Sequence, residues 1–204
     1  MTRSKQGENL AREWSEDPQA PEVWDALQLI RLDPSAGIKN LKDLAERGSA
    51  IAMIHLGHIY LDGQFGVERD HKIGEDFLKC SVDMGSIEGE YRLAKHFGVS
   101  GRGGEAINLY RNLADRGYIP AIFALGFEYY LGNIVENDLD KSLFYFKQAD
   151  AAGHLHATHW VSYFLMKDRQ TLFSWLRGFW KKLRLFIPMM NLSINYPNSD
   201  RLRR

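Results

Sequence analysis

One cysteine, Cys80, stands in 204 residues, so neither an internal disulfide framework nor a site of two thiolates can form. No stretch reaches the ~18 to 20 uncharged apolar residues of a spanning helix. The most apolar segment, Thr171 to Met190, is broken by Arg177, Lys181, Lys182, Arg184 and Pro188. The first residues, Met1 to Glu8, lack the apolar stretch of a secretory signal, and the expectation is a cytoplasmic protein. With six prolines, a disordered or collagen-like chain is excluded. Also missing are a nucleophile elbow, a phosphate-cradling glycine loop and a His-Glu-x-x-His pair. Gly101-Arg102-Gly103-Gly104 follows a helical pattern rather than a strand and reads as a turn. The expectation is no catalytic, cofactor-binding or metal-binding residue, no nucleic acid and no small-molecule substrate.

Net charge is also lacking, but its zero hides a split. From Lys167 to Arg204 there are nine Lys or Arg against two Asp, leaving the first 166 residues with seventeen against twenty-four. The body is acidic and the last fifth basic. What the chain does have is 45% hydrophobic residues, enough for a core, and internal repetition.

Three segments share the order small, x3, Leu, small, x2, aromatic. They are Ala52 with Leu56, Gly57 and Tyr60, then Gly89 with Leu93, Ala94 and Phe97, then Ala121 with Leu125, Gly126 and Tyr129. A degenerate fourth is Ala157, Val161, Ser162 and Leu165. An interleaved series closes on Gly48, Gly85, Gly117 and Gly153, spaced 37, 32 and 36 residues apart. Two helical patterns per mid-thirties period predict a helix-turn-helix solenoid. Leu56, Leu93 and Leu125 are then core, and the glycines are left-handed helix ends.

Gly57, Tyr60, Gly63, Gly66-Val67, Asp70 and Lys72, together with Leu125-Gly126, Tyr129, Gly132, Val135, Asp138 and Lys141-Ser142, resemble Sel1-like repeats, a tetratricopeptide-related helical family. The resemblance spans roughly residues 36 to 168. Gly74 and Cys80 depart from it by interrupting the second helix, and the middle repeat lacks the Gly-Val loop. It implies an all-α, right-handed α-solenoid of about four helix pairs with a C-terminal amphipathic helix. The divisions expected are a flexible segment 1–18, a repeat solenoid 19–168, a basic amphipathic helix 169–192 and a basic tail 193–204. The resemblance also implies a non-enzymatic adaptor or scaffold.

By analogy with tetratricopeptide arrays, the first helix of each repeat lines an inner face. Its outward positions are Ile54 and His58, Tyr91 and Lys95, Phe123, Phe127 and Tyr130, then His159 and Tyr163. A solvated face would be polar, whereas this one is aromatic. It is either a groove for a partner helix or peptide or core displaced by one position. In 171–190, Trp175 and Phe179 lie on an apolar side and Arg177, Lys181 and Arg184 on a basic one. That helix either caps the solenoid or docks on a partner or an anionic membrane surface, and the alternative function is a peripheral membrane-associated regulator. His154, His156 and His159 read as structural rather than metal-binding. Glu88 and Glu90 with Asp83 read as a solvated acidic face, and Cys80 as a packed thiol.

Overall fold

The computed structural model describes residues 8–167 and 172–183, and among them it is helical with no strand. The helices are α1 (Glu8–Glu16), α2 (Ala20–Ile30), α3 (Pro34–Glu46), α4 (Ala50–Asp62), α5 (His71–Asp83) and α6 (Ile87–Val99). They continue as α7 (Gly103–Asp115), α8 (Ile119–Leu131), α9 (Leu139–Ala151), α10 (Leu155–Lys167) and α11 (Leu172–Leu183). Chain contacts divide it into one unit, Asn9–Val99, and another beginning at Ser100. In each, helices adjacent in sequence pack together, as α4 does on α5 and α8 on α9. The fold is an α-solenoid of helical repeats.

The punctuation follows from local chemistry. Asp33, Asp70 and Asp138 each place a carboxylate oxygen 2.9 to 3.0 Å from a backbone N–H three residues on, capping α3, α5 and α9. The Ser49 and Ser86 hydroxyls accept from the N–H groups of Ala52 and Gly89, at 3.2 and 2.9 Å, at the starts of α4 and α6. The four period glycines all adopt positive φ, 78° to 90°, as their spacing predicts. A middle repeat without the Gly-Val loop runs from Val99 to Gly103 in three residues.

Leu56 and Leu125 are fully buried and Leu93 nearly so, which fixes the repeat register. Tyr60 stacks on Phe77 of α5, and Tyr129 on Tyr145 of α9. The small residue beside each leucine lets helices touch. A Cβ on Gly57 would meet Leu78 and the Gly74 carbonyl, and one on Gly126 would meet the Phe146 ring at 2.8 Å. Ser142 Oγ donates to the Gly126 carbonyl at 2.8 Å across that contact. Gly74 therefore seats α5 on α4 rather than interrupting it. Cys80, read as packed, is exposed.

Glu8–Glu16 form α1, which Glu13 and Trp14, with Asp17 just beyond it, tie to the neighbouring helices. Glu88 and Glu90 are buried, not solvated. In α11 the apolar side does not face the repeats: Leu176, Phe179 and Leu183 are 40 to 54% exposed. Gly178 makes the close contact, its ideal Cβ falling 2.8 to 3.1 Å from Met166, Ser162 and Leu165 of α10. Lys181, on the basic side, pairs with Asp150 of α9.

Candidate functional site

Within the unit Asn9–Val99, the facing sides of α4 and α6 are ionic. Glu88, 2% exposed, accepts from Arg92 Nε at 2.5 Å, and the same guanidinium bonds His58. His55 and His58 sit one turn apart on α4. Helix α1 crosses the N-terminal ends of both helices. Glu13 accepts from Ser86 Oγ and from the N–H groups of Ile87 and Glu88, at 2.8 to 3.1 Å. Asp17 accepts from Ser49 Oγ at 2.7 Å. Trp14 lies edge-on to His55 and Trp24, with centroids 6.3 and 6.5 Å away. Of the four residues placed on this face by sequence, Ile54 and Tyr91 are core, at 5% and 3% exposure, and His58 belongs to the ion network. Lys95 is exposed.

The network sets a pH dependence. Burial first, and the Arg92 cation second, hold His58 down to about 3 and His55 to about 4, against ~6.5 for a free imidazole. Both rings are neutral in the folded chain while the unfolded chain takes up protons below pH ~6.5. Their contribution is complete above that value and is lost as the pH falls toward 4. Glu13, raised mainly by burial, works the opposite way across the carboxylate range. Solvent contact tempers the histidine effect to on the order of 2 kcal/mol by pH ~5. The melting temperature should fall between pH 7 and 5, and less steeply for His58→Gln. Equal slopes for the two proteins would contradict this assignment.

The unit beginning at Ser100 is different in kind. Here α8, α9 and α10 meet in a cluster of rings. Phe146, fully buried, stacks on Trp160 at 5.3 Å and touches Phe123 at 5.5 Å. Phe123, expected at the surface, is 4% exposed. It stacks at 4.4 Å on His154, whose Nδ1 accepts from Ala157 N–H at the start of α10. That bond gives the buried histidine a capping role. His156 is half-buried and His159 exposed. Among the described residues, no three His, Cys, Asp or Glu are grouped to hold a metal.

The outer edge of the cluster is open. Tyr130 lies 4.5 Å from Trp160, and Phe127 and Tyr163 sit at 5.8 and 5.7 Å. Tyr163 is 38% exposed, and Phe127, Tyr130 and Trp160 are half-buried. The hydroxyls of Tyr130 and Tyr163 share a hydrogen bond, which raises the Tyr130 pKa. Lys167 Nζ stands 5.9 Å from the Tyr163 ring centre, and His159 flanks Trp160. Four of the five positions read from the sequence here, Phe127, Tyr130, His159 and Tyr163, thus border one aromatic band. Trp160, at its centre, was missed as a groove residue; its position three before Tyr163 on α10 was the available signal.

Two other sets of residues fall elsewhere. A cleft of about 590 Å³ opens between α3 and the Phe65–Val67 loop. Its Asp33 carboxylate accepts from Ala36 N–H and so caps α3, and Lys39 and Lys42 also line the cleft. On α11, Arg177 and Phe179 are exposed. The Trp175 side chain and Arg184 lie outside the described residues, as does the tail 193–204.

The family description Sel1 repeat matches residues 50–86 and 119–154. These spans begin at or near the first residues of α4 and α8, and each contains the complete second helix, α5 or α9. Among solved structures, a Sel1 repeat protein from Oxalobacter formigenes is similar, with a TM-score of 0.64 and 20% identity over 86% of this chain and 78% of that one. A protective antigen present in uropathogenic Escherichia coli strains, displaying an SLR fold, gives 0.62 and 20% over 82% of this chain and 38% of that one. The Pseudomonas aeruginosa protein 5086 gives 0.57 and 22%, covering 83% and 67%. No curated protein matches. The glycine period, the buried leucine register and the two matched segments agree with one another: the chain carries Sel1 repeats at residues 50–86 and 119–154, within a fold shared with solved Sel1-repeat and SLR structures.

Proposed function

We propose that this chain is a non-enzymatic adaptor that holds a partner helix or peptide against the aromatic band of α8 and α10. Sel1 repeats are generally protein–protein interaction modules. The observation that carries the reading is the open edge formed by Phe127, Tyr130, Trp160 and Tyr163. Large rigid rings with a polar tip lose little conformational freedom on binding and bury much surface, so Trp and Tyr dominate interface energetics. Phe146 stacks on Trp160 from within the core, and Trp160 in turn touches Phe127, Tyr130 and Tyr163, which leaves the free edges preorganised. His159 and Lys167 supply a polar rim. The ionic face of α4 and α6 is engaged by its own residues and by α1, and is not part of the proposed surface.

A photo-crosslinking phenylalanine analogue at Tyr163 tests this. In cell extract it should give a discrete adduct that is missing when the analogue replaces Lys147, an exposed residue of α9. Equal labelling from both positions, or none from Tyr163, contradicts the reading.

A further inference from the structure

Helix α11 is amphipathic, yet it is turned the wrong way for a cap. At 100° per residue, Leu176, Phe179, Trp180 and Leu183 form one stripe centred about 150° from Gly178. Gly178 is the residue that makes the close contact with α10. The stripe is solvent-facing, with exposures of 40, 42, 60 and 54%. A helix stabilised only as a lid would bury these side chains and show water its charges. Instead, its docked side is held by a glycine and by the Lys181–Asp150 pair.

We propose that this stripe docks on the surface of an anionic lipid bilayer, with Phe179 and Trp180 entering the headgroup–acyl boundary. This goes beyond the proposed adaptor role and uses a different face. The charge pattern selects the occupant. Leu172–Leu183 contains Arg177, Lys181 and Lys182 and no Asp or Glu, and the sequence from Lys167 to Arg204 carries nine basic residues against two acidic. A second copy would bring this basic helix against its like. An anionic bilayer neutralises it and also accepts the aromatic and leucine side chains. Contact lies in the membrane plane, since no helix among the described residues is long and apolar enough to cross. Attachment by one such helix is reversible and weakens with salt.

Flotation of the full chain with vesicles of phosphatidylcholine and phosphatidylglycerol is the test. The protein should rise with these vesicles and stay behind with phosphatidylcholine alone. Phe179→Ser with Trp180→Ser should cut the bound fraction by roughly tenfold, with an unchanged helical circular dichroism signal because the Gly178 contact is untouched. Arg177→Glu with Lys182→Glu should also release it. The proposal is overturned if the double serine variant floats like the intact chain, or if the intact chain ignores anionic vesicles. A dimer that forms through this stripe in their place would identify a second copy as the occupant and overturn it equally.

Discussion

Phe146→Ala is expected to destabilise the unit beginning at Ser100 by ~3 to 5 kcal/mol. The ring is fully buried, touches Phe123, stacks on Trp160 and fills the space that Gly126 leaves open on α8. Those neighbours are themselves large and held by α8 and α10, so they cannot collapse into the vacancy, and the cavity contribution adds to the lost transfer energy. Because the chain comprises two units, the loss should appear in one part of the unfolding curve before the other. Urea titration followed by tryptophan fluorescence and by circular dichroism measures it. A loss below ~1 kcal/mol would mean that the ring does not organise the cluster.

Gly74→Val is the second large effect, and it concerns the other unit. The ideal Cβ at Gly74 falls 2.6 Å from Leu61 Cγ and 2.8 Å from the Gly57 carbonyl oxygen. The same approach seen from α4 puts the Gly57 Cβ 3.1 Å from the Gly74 carbonyl. Leu61 can turn, but the carbonyl is backbone, so α5 must move off α4. Overpacking of this kind costs ~1 to 3 kcal/mol, and valine's two γ-carbons take the effect to the upper end or past it. Gly104→Ala is the control: nothing lies within 4 Å of its Cβ, and alanine's helix preference makes it neutral or stabilising by up to ~1 kcal/mol. Thermal melts of the two variants that coincide would show the α4–α5 contact to be looser than described.

The features visible in the sequence are those that repeat. Helix ends at Gly48, Gly85, Gly117 and Gly153 and core at Leu56, Leu93 and Leu125 follow from spacing, because every unit solves the same packing problem with the same residue types. Depth on the inner face was not visible. Phe123 and Phe127 are one turn apart and chemically identical, yet His154 and Phe146 close over the first and leave the second at the edge. Nor did charge report burial. Glu88 reads as solvated because one of its neighbours in the network, His58, is thirty residues away in the chain, although Arg92 at i+4 was there to be seen. The tie between α1 and the start of α6 is hidden in the sequence for the same reason, its anchor Glu13 reaching Ser86 across 73 residues. The Gly74 seat was misread because a glycine inside a helix looks like a defect until the opposing backbone is known.

The account turns on whether the aromatic edge of α8 and α10 binds. With the protein captured through Tyr163 identified and purified, its affinity for the intact chain and for Phe127→Ala with Tyr163→Ala decides the matter by calorimetry. The account predicts a loss of at least ~tenfold, since truncated aromatic anchors cost upwards of ~1.4 kcal/mol, with the helical signal and melting temperature of the variant close to those of the intact chain. Unchanged affinity, or a loss that appears only because the variant unfolds, would contradict it.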